Sequence, residues 1–379
     1  MSDELDIVEV TERSDLDQFI KMPWNVYGDD PNWVPPLIFE RRQYLAPKTN
    51  PYYAHADVAL FLARRNGQAV GRISAQVNHA HLDRYGDDTG HFGFLESIDD
   101  TAVFSALTDR AESWLRKKGM RRALGPFSFS INDECGLLVK GFERPPVILM
   151  GHAKPYYAGR IEALGYQKVK DLIAYDFDLS QASLKPTTQA MLKRLDRDPS
   201  VVVRKLNKKN FDAEVQTILD VFNDAWSDNW GFVPFTAAEI SHMAKEMKPL
   251  LDPELVIIVE FDGRVVAFGV TLPNLFEAIA DLDGRLLPFG WAKILWRLKA
   301  HKIKTARVPL MGVRKDMHGP IGPALAALVV DRIHNGLRNQ GYDRVELSWI
   351  LEDNDGMRAL TEATTAEPYK TYRIYEKGL

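Results

Sequence analysis

Two hydrophobic periods alternate along this chain, and they alternate twice. "DVALFLARRNGQAVGRISAQV" (57–77) reads as two apolar strands flanking Asn66-Gly67, and "ELVIIVEFDGRVVAFGVTL" (254–272) reads the same way around Asp262-Gly263. Asn-Gly and Asp-Gly supply the positive φ that a two-residue hairpin loop requires. A strand, a helix and an aromatic loop precede each hairpin: "IVEV" with "LDQFIKMPWNVYGDDPNWVPP", then "VVVRKL" with "FDAEVQTILDVFNDAWSDNWGFVPF". A helix and a strand follow each one, in "AESWLRKKGMRRALGPF" and "HNGLRNQGYDRVELSWI". Gly119 and Gly341 there occupy the position that ends a helix in a left-handed turn.

These landmarks form an internal repeat. The two hairpin turns are 196 residues apart, Trp33 and Trp230 are 197 apart, and Gly119 and Gly341 are 222 apart. The second copy therefore holds 26 extra residues between its hairpin and its helix. Each copy reads as an α+β unit, helices packed on a mixed, mostly antiparallel sheet. The expected division is 1–180 and 201–379, with the polar, proline-containing stretch 181–200 as linker and an amphipathic insertion at 275–305. Inside that insertion, "LLPFGWAKILWRLKAHKIK" (286–304) has two tryptophans and no acidic residue. Leu287, Trp291, Ile294, Leu295 and Leu298 recur at helical spacing, with Lys293, Arg297 and Lys304 on the other side.

Composition narrows the function. The 379 residues are 45% hydrophobic and 26% charged, which suits two globular cores. A net charge of −4 argues against a broad nucleic-acid surface, because phosphate neutralisation dominates such binding. The single Cys135 excludes an internal disulfide, and no Cys/His spacing suits zinc, so no metal is expected and a reducing cytoplasm is. "MSDELDIVEV" lacks the apolar run of a secretory signal. No stretch of about twenty apolar residues is present, so membrane contact is expected to be peripheral.

The order of elements resembles the Gcn5-related N-acetyltransferase (GNAT) fold in tandem. That resemblance implies acyl-CoA as co-substrate, bound where a central strand leads into a helix. "MGVRKDMHGPIGPALAALVVDRI" (311–333) carries the matching pattern: a strand ending near Val313, a Gly/Pro turn, and a helix starting near Pro323. Amides at a helix start hold a pyrophosphate. The expected acyl-CoA contacts are Gly312, Val313, Arg314, His318, Gly319, Ile321 and Gly322. In the family's usual loop, Gln or Arg is followed after two residues by Gly and after one more by Gly or Ala. Met317, Pro320 and Gly322 take those places, and only Gly322 fits. The first copy has no such loop, so acyl-CoA is expected in the second.

Longer stretches resemble the bacterial ceramide synthases and their close relatives: "NWVPP", "HFGFLESIDD" (91–100), "GPFSFSINDECGLLVKGFERPPVILMGHAKPYY" (125–157) and "SWILEDNDGMRALTEATTAEPYKTYRIYEK" (348–377). The resemblance spans nearly the whole chain. It implies acyl transfer from acyl-CoA to the amine of a sphingoid base, with 3-oxo-sphinganine as the expected acceptor. Such a lipid lives in a membrane, so the 286–304 segment is expected to touch the inner membrane surface, tryptophans near headgroups. Packing of that helix on the rest of the protein is the open alternative.

N-acylation requires an amine stripped of its proton and a polarised thioester. Glu96, at the end of a strand from which related acetyltransferases supply a base, is the first candidate, against a plain strand-end carboxylate. Asp133 and Glu134 in "SINDECG" can anchor the amine or relay its proton, or can simply shape a turn. His152 can shuttle a proton near neutral pH or serve structure. Asn354 stands where the fold often has an Asn touching CoA. The tyrosine that often follows as general acid is replaced by Thr361, which leaves Tyr369 and Tyr372 as substitutes; Lys370 and Arg373 reach CoA phosphates or are only solvated. Cys135 reads as a small buried residue. Two other functions stay open: aminoacyl transfer from tRNA, and a non-catalytic acyl-CoA or lipid binder.

Overall fold

The computed structural model describes residues 4–181, 186–248, 251–319, 321–362, 364 and 366–379. The first half comprises β1 (Leu5–Glu9), α1 (Arg13–Tyr27), α2 (Ile38–Tyr44), β2 (Ala56–Arg65), β3 (Gln68–Asn78), α3 (His79–Tyr85), β4 (Thr89–Ser97), α4 (Thr101–Lys117), β5 (Arg122–Gly125), β6 (Phe127–Ser128), β7 (Glu134–Cys135), β8 (Leu137–Lys140), α5 (Tyr156–Ala163) and β9 (Gln167–Asp178). The second half comprises α6 (Pro186–Leu195), β10 (Val201–Lys205), α7 (Phe211–Trp226), α8 (Ala237–Met247), β11 (Val256–Phe261), β12 (Arg264–Pro273), α9 (Leu275–Ile279), α10 (Gly290–Lys299), β13 (Thr305–Val313), α11 (Gly322–Asn339), β14 (Arg344–Leu351), α12 (Asp355–Glu362) and β15 (Glu367–Gly378).

Two compact units result. The first holds the chain up to Leu172 together with 279–293 and 370–379; the second holds 173–278 and 294–369. This differs from a division at 181–200. Residues 186–195 of that stretch form α6, whose Leu192 and Leu195 belong to the second unit's core. The last ten residues belong to the first unit because β15 pairs antiparallel with β5, Tyr375 opposite Gly125, and with β8, Arg373 opposite Leu137.

In the first unit, β1, β2, β3 and β4 run antiparallel in order, and β5 lies parallel to β4. The β2–β3 turn has Asn66 at φ 51° and Gly67 at φ 78°, the geometry its sequence demands. Helix α4 starts at an Asp100 cap that accepts from Ala102 N (2.8 Å) and packs Val103 and Leu107 on β3. It comes so close that a Cβ on Gly71 would lie 2.7 Å from Leu107 Cδ1. On the other face Phe19, Ile20 and Met22 of α1 pack with Leu60, Leu62 and Phe94.

The second unit repeats this plan. Its strands run β10, β11, β12, β13, β14, antiparallel except for the last pair. β11 is apolar from Val256 to Val259 because both faces are covered there: Ile257 and Val259 face one core with α11, Val256 and Ile258 another with α7. Here too a glycine admits the helix, a Cβ on Gly269 falling 2.7 Å from both Val329 and Ile333 side chains.

The 26-residue excess divides between two places. Residues 274–304 join β12 to β13 where only 79–88 join β3 to β4, and 314–321 lead into α11 where only 98–100 lead into α4. The larger insertion contains α9 and α10, and the smaller is the loop expected to meet acyl-CoA.

Candidate functional site

In the second unit the site arises from a parting of strands. β13 and β14 pair in parallel from Thr305 opposite Arg344 to Val308 opposite Leu347, and then stop. Pro309 comes next and has no N–H with which to continue the ladder. The strands diverge, and a cleft of about 670 Å³ opens between them. Gly312, Val313, Ser348, Trp349 and Ile350 line it from the two strands, Trp226 from the end of α7 and Trp230 from the turn that follows, and Met357, Leu360 and Thr361 from α12. Trp226 Nε1 donates to Met311 O (2.9 Å), and its ring meets Trp349 edge-on at 5.8 Å. The Trp230 landmark of the repeat thus lies on the cleft wall.

One end of the cleft meets the start of α11 at His318, Gly322 and Pro323. Ile321 caps that helix without a side-chain bond; Gly322 N turns back to Gly319 O and Pro323 has no N–H, which leaves Ala324 N as the first-turn amide for a ligand. A Cβ on Gly322 would lie 2.6 Å from Met317 O, so the loop folds tightly over a residue that must be small. These features fit the thioester arm and pyrophosphate of an acyl-CoA: a largely apolar trough, a β13 edge that among the described residues has no strand beside it beyond Val308, and a helix start.

Not every expected contact is there. Gly312, Val313, His318, Gly322 and Asn354 line the cleft, while Arg314, Gly319 and Ile321 are not among its lining residues. Arg314 turns away, Nε donating to Val265 O (2.9 Å) and the guanidinium pairing with Asp220. Gly319 O instead accepts from Gly322 N (3.2 Å). His318 Nε2 lies 3.0 Å from Val313 O and tethers the loop to its strand. Asn354 Oδ1 accepts from Met357 N (3.1 Å) and caps α12. Pro320 lies outside the described residues.

The expected acid–base residues gather mainly in the first unit. Glu96, on β4, accepts from Tyr27 OH and from Tyr157 OH (2.9 Å), with Arg72 at 3.8 Å. Burial raises its pKa to about 6, and Arg72 and the two tyrosines hold it from going higher. Tyr27 links it to His152, whose carbonyl lies 3.4 Å from the same hydroxyl. His152 Nε2 is 3.1 Å from Asp30, and Lys154 donates to that carboxylate at 2.9 Å. Burial lowers the His152 pKa against the pull of Asp30, so the ring is neutral at pH 7. Burial also opposes ionisation of Asp30, but the bonds from Lys154 and His152 win and bring it to about 2.

Asp133 and Glu134 have structural partners. Asp133 accepts from Ser130 N (3.1 Å) and Ser130 Oγ (2.7 Å), which is turn chemistry; Glu134 pairs with Arg41 at 3.2 Å. Cys135 is buried. Lys370 and Arg373 are not solvated cations: Lys370 Nζ donates to Gly141 O and Arg144 O at 2.6 Å, and Arg373 to Asp171 at 2.8 Å. Tyr372 is fully buried. Tyr369 is not among the cleft-lining residues; it donates to Glu346.

Glu346 itself escaped the sequence reading. It is buried on β14 opposite Arg307 of β13 and accepts from Ser348 Oγ, which accepts from Arg307 Nε at 2.9 Å. Ser348 faces the cleft, so this charged cluster braces the point where the strands part. Its signal was available: an Arg and a Glu each flanked by apolar residues inside a strand, in "TARVPL" and "RVELSW". Tyr27 and Tyr157 carried no such mark, since a tyrosine that solvates a carboxylate looks like any core tyrosine.

No family model matches the chain. It is 47% identical over 379 residues to the bacterial ceramide synthase of Caulobacter vibrioides, covering 99% of this chain and 98% of that protein. It is 46% identical over 368 residues to protein YghO of Escherichia coli, covering 97% and 94%. Among solved structures, a tandem GNAT protein from the clavulanic acid biosynthesis pathway matches with a TM-score of 0.59 over 99% of this chain and 98% of that one. Its 13% identity speaks to the fold only. The chain belongs to the bacterial ceramide synthase family, acyl-CoA-dependent N-acyltransferases built on a tandem GNAT fold.

Proposed function

We propose that this protein transfers a fatty acyl group from acyl-CoA to the amine of a sphingoid base, with 3-oxo-sphinganine as acceptor, at the inner membrane surface. The observation that carries the proposal is the about 670 Å³ cleft between β13 and β14, bounded by Trp226, Trp230, Trp349 and Leu360 and met at one end by the start of α11. An acetyl group would not need such a wall; a long acyl chain gains roughly 0.8 kcal/mol for each methylene it removes from water there. The amine attacks the thioester carbon, the C–S bond breaks, and CoA leaves as its thiol once the amine's proton has been passed on. Glu96 is the group assigned to take that proton. Its raised pKa suits the task, since a base works best near the operating pH.

The test uses purified protein with mixed acyl-CoAs and three acceptors: 3-oxo-sphinganine, sphinganine and a short soluble amine. Mass spectrometry reads the products. A long-chain amide formed from 3-oxo-sphinganine in preference to the other two is the expected result. Acyl-CoA binding with no amide from any acceptor would overturn the proposal.

A further inference from the structure

The segment between β12 and β13 turns much of its apolar surface to solvent. Helical spacing puts Leu287, Trp291, Ile294, Leu295 and Leu298 on one face. Of these Ile294 and Leu298 are half-buried, while Leu287 (79% exposed), Trp291 and Leu295 stand out in solvent, joined by Phe289 (76%) and Trp296 (57%). Five of the eight large apolar side chains exposed among the described residues fall within these ten positions. Scattered single exposures are ordinary, but a contiguous patch marks an interaction site.

The basic residues divide as well. Lys293 is paired with Asp281, and Arg297 donates to Ala278 O at 2.7 Å, so both are spent holding α10 in place. Arg285, Lys299 and Lys302 are exposed beside the apolar residues, Arg285 with Asp283 at 3.8 Å, and no acidic residue occurs from 284 to 304. In a chain of net charge −4, this stretch is locally positive. Aromatic side chains at an apolar tip ringed by cations match the boundary of an anionic bilayer.

We propose that this hook is a shallow anchor for an anionic lipid surface, with Phe289, Trp291 and Trp296 entering the headgroup boundary. Arg285, Lys299 and Lys302 meet the headgroup phosphates, while Lys293 and Arg297 brace the hook from behind. The choice of a lipid surface as occupant rests on the lipid-acceptor reading above. The hook gives that reading a physical route, since the acceptor resides in the surface on which the enzyme lands.

Flotation of the full chain with vesicles of phosphatidylcholine, with and without phosphatidylglycerol, tests the anchor. Wild type is expected to float with the mixed vesicles. F289S/W296S should lower partitioning roughly tenfold or more. K299E/K302E should lower it about fivefold for each charge removed, at low salt only. K293M should change it less than twofold. All variants should keep wild-type amide formation with detergent-dispersed acceptor. Failure of wild type to float, or flotation indifferent to F289S/W296S, would overturn the anchor. So would a wild-type dimer that F289S/W296S dissolves in analytical ultracentrifugation, since a second copy would then cover the patch. Flotation without amide from any acceptor would leave the anchor standing and remove the acyl-transfer proposal; amide without flotation would do the reverse.

Discussion

Glu96 offers a pH signature that a structural carboxylate would not. Its pKa of about 6 arises from burial, opposed by Arg72 and by hydrogen bonds from Tyr27 and Tyr157. A base must be ionised, so kcat/KM for the acceptor should climb with pH through about 6 and level off above it. At pH 5 only about one-eleventh of a group with that pKa is ionised, against about five-sixths for an ordinary glutamate. Wild-type activity at pH 5 should therefore be roughly a tenth of its plateau. Amide formation with detergent-dispersed acceptor, followed by mass spectrometry from pH 4.5 to 8, reads the profile, and circular dichroism at each pH checks the fold. Glu96→Gln should lose about 10²–10⁴ in rate. Tyr27→Phe removes a bond to the ionised carboxylate, so it should move the acid limb to higher pH and leave the plateau within reach. A rate constant flat from pH 5 to 7.5, or Glu96→Gln retaining a tenth of the activity, would refute the assignment.

Other perturbations separate binding from bracing. Gly322→Val places carbon against Met317 O and should raise the acyl-CoA KM about tenfold, the equivalent of one charge-assisted hydrogen bond, with secondary structure unchanged by circular dichroism. Glu346→Ala strands a buried Arg307 and should cost about 3–5 kcal/mol in chemical denaturation. Asp30, with its pKa lowered to about 2, stabilises the fold fully above its unfolded value of 3.8 and loses that contribution as pH falls toward 2. Asp30→Asn should therefore cost about 2 kcal/mol at pH 6, and the difference from wild type should vanish by about pH 2.

Local chemistry was legible wherever one or two residues decide a conformation. Asn66-Gly67 and Asp262-Gly263 adopt the positive φ values their hairpins need, and Gly119 and Gly341, at φ 84° and 79°, follow helices α4 and α11. These four points fixed the repeat, and the repeat fixed the fold. Roles that depend on long-range partners were not legible. Arg314 sits in the expected loop, yet Val265 O and Asp220 claim its guanidinium. Lys370 sits in a charged strand end, yet two carbonyls bury it. The sequence separates these partners by 49 to 229 residues, and no local period reports on such distances. For α10 the spacing left both readings open: helical period says which side chains share a face, and only packing says that Trp291 and Leu295 face solvent.

The two copies also show how one fold yields two different sites. In both, two parallel strands pair briefly and then part, at His91 opposite Leu124 in the first unit and at Val308 opposite Leu347 in the second. In the first unit the chain leaving β5 turns back into the gap. Phe127 lies so close to β4 that a Cβ on Gly93 would fall 1.8 Å from its carbonyl oxygen, and Gln76 Nε2 donates to Phe127 O (2.7 Å) and Phe129 O (3.0 Å). Tyr44 and Tyr52 stack on Phe129, so aromatic rings occupy the neighbourhood of the gap. A thioester arm has no room beside β4, and β4 is free to carry Glu96 in a buried tyrosine cage. In the second unit β14 continues to Leu351, the gap stays open, and the wall is tryptophan and small residues. The repeat thus contains two strand partings: the first is filled by the Phe127–Phe129 segment, beside the strand that carries Glu96, and the second stays open as the cleft.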